Sequence, residues 1–155
     1  MTGAAGLSDT VGMTSGAREQ QLIEAANLLL NARRTHTPIA DLPVELQPTS
    51  MDEVYAVQDA IALAYGEVGG YKIGAGTADA TPSFAPMPRA WIAASGAVLT
   101  GPTYRYRVVE SEVAFLVGED LPPRATPYTR DEVIAAMASC HPAIEELESG
   151  LFQLS

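Results

Sequence analysis

Apolar residues recur at the spacing of an α-helix in two segments near the amino terminus. The first segment predicts a helix over residues 18–34, with Arg33 and Arg34 in the final turn, where positive charge stabilises the helix dipole. Ahead of the second segment, Ser50 and Glu53 have capping-box spacing, which predicts a helix over residues 51–65. The apolar positions that define the two helices are Leu22, Ile23, Ala26, Leu29 and Leu30, then Val54, Val57, Ile61 and Leu63.

The rest of the chain favours strands. Residues 108–117 are β-branched and aromatic with an alternating pattern, which predicts the strongest strand of the chain. Shorter strands are predicted at residues 71–74 and 143–148, and a hairpin or meander at residues 91–99. Helices and strands together predict the α+β class.

A third helix is predicted from the spacing of Thr129 and Glu132, which again suits a capping box. We expect this helix to end near Ser139. The residue before a proline is disfavoured in helical dihedrals, so a loop is expected around His141 and Pro142.

The remaining segments are predicted to be a tail and loops within one domain. Residues 1–17 are rich in Gly, Ser, Thr and Ala without a period, which is typical of a flexible tail. Prolines predict loops at residues 35–49 and 76–88. A chain of 155 residues can bury one core, so residues 18–155 are expected to form a single domain portion.

Composition excludes several classes of partner. The formal net charge is −10, so nucleic acid and anionic membrane surfaces would be repelled, and we expect neither as a partner. The single cysteine, Cys140, cannot form an intrachain disulfide and is expected in or near the core. No leader or membrane span is recognised, which favours a cytoplasmic location.

Two glutamates on the predicted strand 108–117 are candidate metal ligands. Glu110 and Glu112 are two residues apart, so both side chains lie on one face and their carboxylates can converge on one ion. The alternative is a solvated strand end near Arg105 and Arg107. Local pattern alone leaves the two interpretations open.

Three further polar residues are left with ordinary interpretations by their local sequence. Lys72, on the predicted strand 71–74, can occupy a polar pocket or reach solvent. Glu145 on the last strand is expected to be solvated, and His141 to be a loop or packing histidine.

Several of these segments together resemble the 2-keto-4-pentenoate hydratases of the fumarylacetoacetate hydrolase superfamily. The resemblance is carried by Lys72-Ile73-Gly74, by the run from Val109 to Phe115, and by Pro142-Ala143-Ile144-Glu145, which occur in the order typical of the family. It covers the chain from about Arg18 to Ser149 and implies N-terminal helices packed on part of a mixed β-roll.

The resemblance implies a metal site and a catalytic lysine. Glu110, Glu112 and Glu145 correspond to the three carboxylate ligands of Mg²⁺ or Mn²⁺, and Lys72 to an active-site lysine that assists proton transfer or binds a substrate oxygen. Nothing in the sequence assigns further substrate-binding residues.

The function implied by the resemblance is addition of water to a 2-hydroxy-2,4-dienoate of the 2-keto-4-pentenoate type, in aromatic-compound catabolism. The partner would then be a small 2-oxo or 2-hydroxydienoic acid. A related 2-oxo acid decarboxylase is an alternative that the sequence does not separate.

The pattern departs from the family after the third ligand position. Family members continue well beyond it and carry an arginine where this chain has Gly150, so the chain resembles the front portion of a hydratase with the C-terminal half of the roll absent. We therefore expect impaired turnover. A further alternative is a non-catalytic remnant that forms homo-oligomers or associates with a full-length relative.

Overall fold

The computed structural model describes residues 8–152, with side chains from residue 16 onward, and has the expected α+β composition. Its helices are α1 (Ser8–Thr35), α2 (Met51–Tyr65) and α3 (Arg130–Ala135). Its strands are β1 (Val68–Gly74), β2 (Ser83–Pro88), β3 (Val108–Val117) and β4 (Met137–Leu147). Short 3₁₀ turns lie at Val44–Leu46 and Arg89–Trp91.

The described residues divide into two compact units. The first comprises the chain up to Thr103 together with residues 149–152, and the second comprises Tyr104–Glu148. Two separate antiparallel sheets, β1–β2 and β3–β4, belong to the first and second unit respectively. No helix within residues 8–152 is long and apolar enough to cross a membrane.

Helix α1 begins earlier than its apolar pattern predicts. It starts at Ser8 rather than near Arg18, so the expected tail over residues 1–17 is wrong from Ser8 onward, and residues 1–7 lie outside the described part. Once a helix is nucleated, each added residue contributes one hydrogen bond. Small residues can therefore extend the helix even where apolar positions do not repeat at helical spacing.

The core of the first unit lies between α1 and α2. Leu22, Ala25 and Ala26 of α1 are buried against Val57 of α2 and Leu46 of the first 3₁₀ turn. The small alanines allow the two helices to approach closely. Of the apolar positions that predicted the two helices, Leu22, Ala26 and Val57 lie in this contact.

An ion pair joins α1 to the start of α2. The Arg18 guanidinium donates to both carboxylate oxygens of Glu53 at 2.8 and 2.7 Å and to the backbone oxygens of Glu45 and Gln47. Ser50 caps α2 by accepting from the Glu53 backbone N–H. The Glu53 carboxylate accepts from Thr49 N–H instead of closing the predicted capping box, because Arg18 and Thr49 both reach it.

The β1–β2 sheet is only partly as predicted. Strand β1 contains the expected segment 71–74, but the expected loop over residues 76–88 contains β2, with Pro86 opposite Tyr71. Proline is tolerated in an edge strand, and each strand of a two-stranded sheet is an edge. The expected hairpin over residues 91–99 is wrong, because no strand lies between β2 and β3.

The second unit is built on the antiparallel pairing of β3 with β4. The bounds of β3 match the sequence prediction. Helix α3 has the predicted capping box, in which Thr129 accepts from Glu132 N–H and the Glu132 carboxylate accepts from Thr129 N–H, but it ends at Ala135 rather than Ser139. The next segment is extended and forms β4 from Met137. Cys140 therefore lies in a strand and is exposed, and the expectation that it lies in or near the core is wrong.

The Arg18–Glu53 pair predicts a defined acid sensitivity of the first unit. Hydrogen bonds from Arg18 and then from the Thr49 backbone lower the pKa of Glu53 from 4.5 to about 2. Because the pKa is lower in the folded state, this stabilisation is complete above about pH 4.5 and is lost as the pH falls towards 2. Glu53→Gln should lower the urea midpoint at pH 7 and flatten its decline between pH 4.5 and 2, measured by Trp91 fluorescence.

The control for this acid titration is Glu24→Gln, which changes an exposed carboxylate on α1 by the same charge. It should leave the decline of the urea midpoint unchanged. An acid profile of Glu53→Gln identical to that of the wild type would contradict the ion pair.

Two glycines of β1 form a matched test of the packing between β1 and the turn at Arg89–Trp91. A Cβ at Gly69 would lie 2.8 Å from Arg89 Cα and 2.9 Å from Ile92 Cδ1, whereas nothing lies within 4 Å of a Cβ at Gly74. Gly69→Ala should destabilise the unit by about 1–3 kcal/mol through overpacking, and Gly74→Ala should change stability little. Urea denaturation of both variants checks this, and equal effects would contradict the close approach.

Candidate metal centre

The β3–β4 register places three glutamates on one face of the second unit's sheet. Glu110 lies directly opposite Glu145. Glu112 lies opposite Ala143, which is the next residue pair on the same face. Residues directly opposite in an antiparallel pair share a face, as do residues two apart on one strand. The carboxylates of Glu110, Glu112 and Glu145 therefore project together.

The three carboxylates converge closely enough to share an ion. One oxygen from each lies within 4.8 Å of the other two. Among the residues that the structure describes, these three form the group of acidic, histidine or cysteine side chains whose ligand atoms are close enough together to hold one metal ion. Glu112 and Glu145 are half-buried and Glu110 is exposed, so the group is anchored in the sheet and open to solvent on one side.

The donor set fits a small divalent cation. Mg²⁺ takes oxygen ligands at about 2.0–2.1 Å in an octahedron, so its ligand oxygens are about 3 Å apart when adjacent and about 4 Å apart when opposite. Separations of up to 4.8 Å need only small side-chain rotations to reach these values. Like charges directly opposite on a sheet are unfavourable, and a cation among them compensates that repulsion.

The position of Glu145 depends on β4 continuing through a proline. The sequence predicted a loop at His141 and Pro142, whereas the structure has both in β4, with Pro142 opposite Val113. Proline lacks the N–H donor, which an outward-facing position of an edge strand does not require. Because the strand is not interrupted there, Glu145 comes into register with Glu110.

Lys72 lies at the middle of β1, opposite Ala85, and is half-buried. It belongs to the first unit, whereas the three glutamates belong to the second. Lys72 is the only lysine of the chain. The catalytic role that the resemblance implies for Lys72 stays a prediction.

Two residues of the same sheet face were not recognised as site residues from the sequence. His141 lies opposite Ala114, and Ser139 lies opposite Leu116, so both share the face of the glutamates. Ser139 Oγ and His141 Nε2 are 2.7 Å apart. The available signal was the alternation of Ser139, His141, Ala143 and Glu145, which the helix prediction to Ser139 concealed.

The opposite face of this sheet carries mostly apolar residues, with Ser111 and Glu146 as its polar members. Phe115 and Cys140 line a cavity of about 710 Å³ together with residues of α3 and its flanking segments. Of the paired strand residues that line this cavity, Phe115 and Cys140 face away from the glutamates, whereas Ser139 shares their face. The candidate metal centre is the glutamate cluster.

The glutamate cluster predicts that the protein binds one Mn²⁺ or Mg²⁺. Glu112→Gln should weaken Mn²⁺ binding at least tenfold and abolish the rise in thermal midpoint caused by millimolar ion, because a bound ion stabilises the folded state over the unfolded chain. Isothermal titration and thermal melts measure the two effects.

The matched control is Glu146→Gln. Glu146 is the neighbour of Glu145 on β4 and lies opposite Val109, on the other face, so this variant removes the same charge without removing a ligand. It should keep the binding of Mn²⁺. Equal loss in both variants would indicate nonspecific attraction of the ion to an acidic protein.

Comparisons with known proteins neither support nor oppose the resemblance stated above. Neither a family model nor a curated protein matches this chain. The assignment of the chain therefore rests on its residues and on the geometry of the glutamate face.

Proposed function

We propose that this protein is metal-dependent and of the 2-keto-4-pentenoate hydratase type, adding water to a 2-hydroxy-2,4-dienoate. The proposal includes the fumarylacetoacetate hydrolase type of fold, of which the described helices and sheets would be part. The observation that carries it is the convergence of Glu110, Glu112 and Glu145 to within 4.8 Å on one sheet face. Their order and spacing in the chain match the ligand positions that the resemblance implies.

Glu110, Glu112 and Glu145 would hold the ion from one side. Three carboxylates leave up to three positions of an octahedral ion for water and for the oxygens of a substrate. A bound Mg²⁺ or Mn²⁺ would supply Lewis-acid polarisation of a 2-oxo acid. The rigid register of β3 and β4 would orient the substrate, because the ligands project from paired strands rather than from loops.

Lys72 would act on a substrate oxygen or transfer a proton. An ammonium group can donate a hydrogen bond to a carboxylate or enolate oxygen, and its neutral form can accept a proton. Its position on β1, a regular strand, would limit the motion of its backbone. This role rests on the resemblance and is part of the proposal.

Decarboxylation of a related 2-oxo acid is the first alternative, since the same ligand set would serve it. The second is binding without turnover, as a partner of a full-length relative or of another copy. Exposure favours this second alternative: Glu110 is exposed, and Val113 and Ile144 on the other face are 61% and 77% exposed. A reaction of this kind benefits from exclusion of water, which an open sheet face does not provide by itself.

The activity is tested by following the loss of dienoate absorbance with purified protein and Mg²⁺. Glu112→Gln should abolish turnover because it removes a metal ligand, and Lys72→Met should lower turnover at least 100-fold while preserving Mn²⁺ binding. Glu146→Gln should retain turnover. Formation of carbon dioxide in the same assay would favour the decarboxylase.

The absence of turnover in a protein that still binds Mn²⁺ and a 2-oxo acid would support the binding alternative. The placement of Lys72 can be tested in the same preparation, because the chain has one lysine. Mg²⁺ together with a 2-oxo acid should protect Lys72 from acylation, measured by mass spectrometry of its peptide. Equal acylation with and without the two ligands would contradict a role of Lys72 at the substrate.

A further inference from the structure

The face that carries the glutamates continues beyond them to a second polar group. Along the β3–β4 register, the Glu110–Glu145 pair is followed by Glu112–Ala143, then by Ala114–His141 and then by Leu116–Ser139. On β4, Ala143 lies between Glu145 and His141, and on β3 the next residue on this face after Glu112 is Ala114, which lies opposite His141. Both ends belong to the second unit.

The two alanines leave room on this face between the polar groups. Ala114 is exposed and Ala143 is half-buried, and neither side chain extends beyond its Cβ. Residues diagonally related across an antiparallel pair, as Glu112 and His141 are, lie about 7–8 Å apart. A molecule of about five carbons laid along the face can span that separation.

The His141 ring is oriented by Ser139. The 2.7 Å contact joins Ser139 Oγ to His141 Nε2, so Nδ1 is the ring nitrogen that this contact does not engage. When the serine hydroxyl donates to Nε2, the neutral ring carries its proton on Nδ1. In that arrangement Nδ1 can donate a hydrogen bond to a ligand oxygen.

We propose that His141, held by Ser139, is the second anchor of this site and binds a distal oxygen of a 2-oxo acid whose other end lies at the glutamates. The proposal rests on the proposed metal-dependent function. It extends that function by naming the preferred ligand class, which is 2-oxo acids with a second oxygen acceptor about three carbons beyond the carbonyl. Ser139 is a positioning residue, because it acts through the imidazole.

The test compares two ligands of equal chain length. 2-Oxoglutarate carries a distal carboxylate, whereas 2-oxopentanoate ends in a methyl group. With Mn²⁺ present, the wild type should bind 2-oxoglutarate more tightly, and His141→Ala should weaken that binding about tenfold while leaving 2-oxopentanoate unchanged. Ser139→Ala should also weaken the binding of 2-oxoglutarate and leave that of 2-oxopentanoate unchanged, with a smaller loss of affinity than in His141→Ala.

His36→Gln is the control variant, since His36 is the only other histidine and lies outside the β3–β4 sheet. It should bind both ligands as the wild type does. Titration calorimetry gives the affinities, and Mn²⁺ titration alone verifies that each variant keeps its metal site. The ratio of the two affinities distinguishes loss of the anchor from structural damage, because structural damage would weaken the binding of both ligands together.

The outcomes distinguish this inference from the proposed function. Metal-dependent binding of both ligands with an unchanged ratio in His141→Ala would overturn the anchor and leave the metal-dependent function standing. Failure of the wild type to bind either ligand with Mn²⁺ would overturn both. The anchor is supported if the preference for 2-oxoglutarate over 2-oxopentanoate falls in His141→Ala and Ser139→Ala but not in His36→Gln.

Discussion

The register between β3 and β4 is the constraint on which the candidate site depends. Glu145 lies opposite Glu110 only because β4 runs without interruption from Met137 to Leu147. Side chains on a strand alternate with a period of two, so a slip of one residue would move Glu145 to the other face. The same register places His141 and Ser139 on the face of the glutamates.

The two units are stabilised in different ways. The first unit has a core in which Leu22, Leu46 and Val57 are buried between its helices. In the described residues of the second unit, Ala136 alone is buried, and the sheet relies on ladder hydrogen bonds and on the capped helix α3. An isolated two-stranded sheet is marginally stable. A ligand that bridges β3 and β4 would therefore contribute a larger share of the stability of the second unit than it would in a unit with its own core.

Such coupling between ligand and register is physically reasonable for a metal centre. Two of the ligands come from β3 and one from β4, so an ion would act as a cross-link between the strands. Three carboxylates on one face are unfavourable in a sheet unless positive charge is close to them. A divalent cation bound among them would supply such a charge.

Local sequence signals were sufficient where the structure depends on neighbouring residues. The bounds of α2 and β3, the cap of α3 and the shared face of Glu110 and Glu112 all follow from spacings of two to four residues. Repeating positions of this kind are determined by helix and strand geometry alone. They could be predicted without knowing what each segment contacts.

Tertiary structure decided what the local pattern left open or obscured. Prolines predicted loops at residues 76–88 and at Pro142, but strand pairing with β1 and β3 outweighed that preference. The pairing of Glu145 with Glu110 arises only once two distant segments are in register, and the contact of Ser139 with His141 depends on residues 137–147 forming a strand rather than a helix and a loop. Sequence therefore determined the candidate ligands, and cross-strand pairing determined that they meet, because register is a property of two strands and not of either one.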